Sequence, residues 1–188
     1  MAVRHQTTQP MTVDDLWGLP DDGTRYELIE GVLFEMAPTG GDHSEIDVRL
    51  ISRMFIFVDE HDLGTVYESS AGFVLSRVPA TVLSPDAAFV RKARKPKSTV
   101  GFVDVAPDLA VEIVSLSNSR QEIARKIEQF FNAGTQLIWI VEPRLRSVTV
   151  WTSSQTWHEL IKEDYLNGGD VLPGFRLRVA NIFPRIEE

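Results

Sequence analysis

In the run Leu109-Ala-Val-Glu112-Ile-Val114 a single carboxylate interrupts an otherwise apolar strand. Strand side chains alternate between faces, so Glu112 shares one face with Ala110 and Val114, while Leu109, Val111 and Ile113 take the other. Apart from Glu112 both faces are apolar, the pattern of a strand buried on both sides. A carboxylate in such a place is strongly unfavourable unless it is paired, protonated or bound to a cation. The chain must therefore fold around a covered central sheet and must answer the charge of Glu112.

A second carboxylate stands out in the same way. Asp86 lies in Val82-Leu-Ser-Pro-Asp86-Ala-Ala-Phe-Val90, where Pro85 predicts a bulge or a strand start because it cannot donate to a ladder. Either acid alone reads first as a salt-bridged core residue, since buried acids are usually paired. Two carboxylates from neighbouring strands, with a backbone carbonyl beside one, form an all-oxygen set suited to Mg2+ or Mn2+. An ion held there can polarise a phosphodiester and acidify a water. The third element is Lys126. On a helix from about Asn118 to Ala133, Ile123, Ile127, Phe130 and Phe131 define the apolar face, and Lys126 lies at its edge. Its stem can cross the core and bring the ammonium to the sheet rim. An ordinary Glu122–Lys126 surface pair satisfies the same spacing.

Around these segments the pattern alternates between strand and helix. Thr12 can cap a short helix through Leu16. Tyr26–Ile29 and Val32–Met36 form a hairpin around Glu30-Gly31. Ile46, Leu50, Ile51, Met54, Phe55 and Val58 mark a helix from His43 to about Glu60. Short strands follow at Leu63–Glu68, Gly72–Leu75, Leu137–Val141, Val148–Trp151 and Trp157–Ile161, with a last strand after Leu172. This order predicts an α/β (α+β mixed) domain over residues 12–188, with a central sheet flanked by helices and extra β-hairpins. Residues 1–11 read as a flexible tail.

The chain has 188 residues, 43% of them hydrophobic, enough for one domain with a substantial core. No apolar run approaches a membrane span, and Met1–Pro10 has no apolar stretch of the kind a secretory signal carries. There is no cysteine, which excludes thiolate chemistry and disulfides and suits a cytoplasmic setting. The net charge of −8 opposes phosphate binding in the mean. Binding depends on local field, however, and the segment Arg91, Lys92, Arg94, Lys95, Lys97 is the densest basic run. It reads either as a solvated loop or as a nucleic-acid contact. No Gly-x-Ser-x-Gly elbow, Gly-rich phosphate loop or zinc-like His spacing is present.

Ser84-Pro-Asp86 and Ala106-Pro-Asp-Leu-Ala-Val-Glu112-Ile-Val-Ser115 resemble the PD-(D/E)XK superfamily of restriction-endonuclease-like nucleases, and more narrowly the Uma family of endonucleases. The resemblance runs from Arg25-Tyr-Glu-Leu-Ile-Glu-Gly31 and His43 through Ser115-Leu-Ser-Asn118, Glu122, Lys126, Ala133-Gly134 and Ile138-Trp-Ile-Val-Glu-Pro143. It ends at Gly169-Asp-Val-Leu-Pro-Gly-Phe175. It implies a restriction-endonuclease-like core and Mg2+- or Mn2+-dependent phosphodiester hydrolysis, with DNA as the substrate. Asp86, Glu112 and the Ile113 carbonyl would hold the metal, and Glu27, His43 and Glu122 would support them. The superfamily's usual Lys, two residues after the Glu, is Val114 here. The resemblance places that role on Lys126, in the next helix. Departures from the family pattern are Leu116 for Pro, Glu122 for Asp, Phe130 for Tyr, and Leu137 for an acidic residue.

The alternative is a non-catalytic nucleic-acid- or protein-binding module on the same fold. A hydrolase of another phosphorylated substrate is a third reading. Cutting both strands of a duplex favours a homodimer; Trp151, Trp157 and Leu160 of the C-terminal hairpin read either as apolar surface for that contact or equally as ordinary core.

Overall fold

The computed structural model describes residues 3–5, 9–97, 100–115 and 118–185. Strand β1 (Val3–His5) leads to helix α1 (Val13–Trp17), then to β2 (Arg25–Ile29), β3 (Val32–Met36) and the long helix α2 (Gly41–Glu60). Next come β4 (Gly64–Glu68), β5 (Phe73–Arg77), β6 (Ala80–Leu83), β7 (Ala87–Arg91) and β8 (Leu109–Ile113). Helix α3 (Arg120–Asn132) is followed by β9 (Leu137–Glu142), β10 (Ser147–Ser153), β11 (Thr156–Leu160), β12 (Tyr165–Asn167) and β13 (Arg176–Arg178).

The strands form a six-stranded mixed sheet in the order β11-β10-β9-β8-β7-β4, a five-stranded sheet in the order β1-β3-β2-β6-β5, and a β12–β13 pair. Among the described strand pairs only β8 and β9 run parallel. Their connection is α3, because parallel neighbours need a crossover. Odd positions of β7, β8 and β9, among them Phe89, Val111 and Trp139, pack against Ile46, Leu50, Met54 and Val58 of α2 and against the C-terminal segment. On the other face Ala110, Ile138 and Ile140 meet Ile127 and Phe130 of α3, with Ile29 and Leu83 from the five-stranded sheet. The large sheet is thus covered on both sides, as the apolar run around Glu112 requires.

Local signals account for the element ends. Thr12 and Asp15 close a capping box on α1, and Ser119 and Glu122 close one on α3. Glu30 (φ 52°) and Gly31 (φ 78°) both take the left-handed conformation between β2 and β3, as a two-residue turn of type I′ needs. A side chain at 31 would also collide with Pro10, whose Cβ lies 2.6 Å from an ideal Cβ there.

Three details differ from the sequence expectation. Residues 3–5, read as part of a tail, pair as an edge strand with β3. The strand expected over 82–90 is two strands in different sheets, for β6 belongs to the small sheet and β7 to the large one. Pro85 lies in the crossing, where it has no ladder to break. The short strand β12, for which the sequence carried no expectation, pairs with β13. The departure noted at Leu116 lies outside the described residues.

Candidate active site

The crossing from β6 to β7 delivers Asp86 beside the end of β8. In the register of those strands Ala87 lies opposite Val111, so Asp86 reaches the backbone one step further along. Its Oδ2 accepts the Ile113 N–H at 2.7 Å. His43, the third residue of α2, brings Nε2 to 3.3 Å from the same oxygen and to 3.0 Å from the Ile113 carbonyl. Burial works against a charged imidazole here, but the Asp86 carboxylate and the Ile113 carbonyl outweigh it and raise the His43 pKa above its ordinary value.

Glu112 points to the opposite face of β8 from Ile113, toward α3. Lys126 comes to meet it: its Nζ donates at 3.1 Å to both Glu112 oxygens and at 2.9 Å to Glu27 Oε1. The same Glu27 oxygen accepts the Ser84 N–H at 3.0 Å. Lys126 is 8% exposed, Glu112 6% and Glu27 2%. Burial pushes the Glu112 carboxyl up, with the Lys126 ammonium opposing and Asp86 and Glu27 adding to the rise. Burial by itself disfavours the Lys126 ammonium, yet Glu112 and Glu27 more than offset it and raise its pKa. Lys126 therefore stays charged, and Glu112 is the carboxylate that the cluster disfavours in its charged form.

Asp86, Glu112 and Lys126 thus come together from three segments. Glu27 and His43 contact them directly. Glu122 does not: its Oε2 accepts the Ser119 N–H at 2.7 Å in the α3 cap, and the surface pair with Lys126 is absent because Lys126 has turned inward. The basic segment is also elsewhere. Strand β7 leads away from Asp86, and at about 3.3 Å per residue it carries Arg91 roughly 17 Å off. There Arg91 donates to the Asp170 carbonyl at 2.8 Å, Arg94 pairs with buried Asp108 at 2.8 Å, and Lys92 pairs with Asp62. Lys95 and Lys97 are exposed. Phe130 and Leu137, the two departures that remove polar groups, are fully buried and 4% exposed. They belong to the core.

A residue the sequence reading passed over is Asp47, one turn beyond His43 on α2. Among the described residues its buried Oδ1 has no hydrogen-bond partner, and burial, with the field of Asp86 second, pushes its pKa up to about 6. The i,i+4 spacing from His43 was the available signal. The cleft over the site is lined by Tyr26, Thr39 and Asn118 as well as by the acidic and basic residues above.

Among the described residues no three His, Asp or Glu side chains form a ready-made ion cage. The donor chemistry nevertheless fits a hard divalent cation. Three clustered carboxylates, Glu27, Asp86 and Glu112, face one lysine and one histidine, which leaves negative charge in a low-dielectric setting. The oxygens of Asp86, Glu112 and the Ile113 carbonyl are the set that can receive the ion.

A family model described as "Putative restriction endonuclease" matches residues 13–180. Among solved structures, one titled as a putative nuclease belonging to DUF820, from Anabaena variabilis, superposes with a TM-score of 0.80. The two chains are 21% identical, and the match covers 93% of this chain and 98% of the other. The likeness shows that the two share a fold. No curated protein matches.

Proposed function

The chain belongs to the Uma2 family, and from that membership and the geometry around Lys126 we propose that it is a metal-dependent endonuclease acting on DNA. One observation carries the reading. A lysine contributed by the helix after β8 reaches the β8 glutamate at 3.1 Å, so the acid–acid–lysine set is complete although its members lie far apart in sequence. The catalytic role falls to Asp86, Glu112 and Lys126.

Asp86, Glu112 and the Ile113 carbonyl would hold Mg2+ or Mn2+, which supplies Lewis acidity toward the phosphodiester. The protein's own part is positioning and charge. The Ile113 N–H donates to one Asp86 oxygen, and His43 lies against that same oxygen as its ion-pair partner. His43 also holds the Ile113 carbonyl in place. The Lys126 ammonium offers a fixed positive charge where phosphorane charge develops and a donor that orients the attacking water. Cutting both strands favours a homodimer. Trp157, 56% exposed on edge strand β11 and 5.7 Å from Trp151, supports that surface as the contact. The absence of cysteine accords with the cytoplasm. Among the described residues no helix is long and apolar enough to cross a membrane.

Calorimetric titration of Mn2+ into the parent protein, Asp86→Ala and Glu112→Ala, beside plasmid nicking by the same samples, tests the proposal. The parent should bind and nick, and each variant should lose both. Failure of all three to bind the ion overturns the reading. Binding without nicking directs the site to another phosphorylated substrate.

A further inference from the structure

Among the described residues Lys126 has two counter-ions in contact, and only one of them belongs to the set that would receive a cation. Glu112 meets the ammonium with both oxygens at 3.1 Å. Glu27 meets it at 2.9 Å from a different sheet. A divalent ion on Glu112 takes over that carboxylate's charge and repels the ammonium beside it. In a buried cluster an ammonium without a carboxylate is strongly disfavoured, so Lys126 needs a second anion in order to stay when the ion arrives. Glu27 is the residue so placed. It is 2% exposed, and its Oε1 is fixed by the Ser84 N–H at 3.0 Å, two residues before Asp86. It therefore registers Lys126 against the turn that carries the other acid.

We propose that Glu27 is a positioning residue that holds the Lys126 ammonium in the site while Glu112 is engaged by the divalent cation. The inference rests on the metal-dependent reading above. Without Glu27 the ammonium has only Glu112, so lysine and metal ion compete for one carboxylate. With Glu27 both are accommodated. Glu27 is then the residue that makes a lysine on a separate helix compatible with a metal site.

Two measurements test this on the full chain, with Mn2+ as the probe. The first is a double-mutant cycle on Mn2+ affinity, using Glu27→Gln, Lys126→Met and the pair. Glutamine keeps the shape and the acceptor for the Ser84 N–H, so the cycle reports charge. In the parent background Glu27→Gln should weaken Mn2+ binding by about tenfold or more, and in the Lys126→Met background by less than about twofold, the signature of contacting residues. Equal losses in the two backgrounds overturn the proposal while leaving the metal site intact. Failure of the parent to bind Mn2+ overturns the metal-dependent reading and this inference with it.

The second measurement needs only Glu27→Gln, should Lys126→Met not fold. Lys126 is labelled with acetic anhydride and followed by peptide mass spectrometry. It should stay protected in the parent with and without Mn2+. In Glu27→Gln it should become reactive on Mn2+ addition, by about tenfold. Reactivity that Mn2+ raises equally in both proteins overturns the role assigned to Glu27.

Discussion

Asp47 shows how a single carboxylate is strained by its neighbours. Its Oδ1 is buried with no partner among the described residues, and burial, then Asp86, lift its pKa from 3.8 to about 6. Between these values the folded protein binds more protons than the unfolded chain, so stability falls as pH rises through the window and the deficit persists above it. Asp47→Asn should therefore stabilise metal-free protein by about 1–2 kcal/mol near pH 7.5, the full linkage value being discounted for partial exposure. The gain should vanish near pH 4. Urea unfolding at the two pH values checks both parts, and an equal gain at both would remove titration as its cause. Asp86 and Glu112 were legible as residues because each breaks an apolar strand. Glu27 was legible only as a match to a family pattern, since nothing in Tyr26-Glu27-Leu28 says which of the hairpin's faces will be buried.

Among the elements, β7 decides most. It begins at the site with Asp86 and ends at the basic segment, so one strand separates the two by its own length. At that far end Asp108, fully buried, accepts the Arg91 N–H at 2.9 Å and pairs with Arg94 at 2.8 Å. Its carbonyl accepts the N–H groups of Gln136 and Leu137 where β9 starts. Arg94 thus neutralises a staple that joins β7, β8 and β9. Arg94→Ala should cost about 1–3 kcal/mol in urea unfolding, reduced from the fully buried case by the exposure of Arg94. Mn2+ affinity should stay within about twofold of the parent. A large loss of affinity with unchanged stability would return the basic segment to the site. The run of cations was visible in sequence. Its engagement with Asp108, Asp62 and the Asp170 carbonyl was not, because those partners approach through tertiary packing.

For the whole molecule, the site is the seam between two sheets. Glu27 belongs to the five-stranded sheet, Glu112 to the six-stranded one, and Asp86 to the turn that passes between them. Lys126 bridges the two. An ion bound there should act on global stability, since it binds only when both sheets and α3 are in place. Mn2+ at about 100 times its Kd should stabilise the parent by about 2.7 kcal/mol, or about 5–10 °C in Tm. Glu112→Gln should show no such shift. A shift of the same size in Glu112→Gln would place the ion elsewhere.

The sequence alone determined most of the elements and two of the acids, Asp86 and Glu112. Apolar periodicity marks α2, α3, β8 and β9, a capping residue marks where α1 begins, and a charge inside an apolar strand needs no coordinates to be noticed. These are local properties of period, cap and polarity. Only the tertiary structure decided that Val82–Val90 splits between two sheets and that residues 3–5 join an edge. It also turned Lys126 inward to two carboxylates, kept Glu122 in the helix cap and placed the basic segment at the end of β7 away from Asp86. Each of these outcomes depends on which partner a backbone group or charge finds across a long sequence separation. A long-range pairing is settled by the burial of the whole core, and no window of sequence contains it.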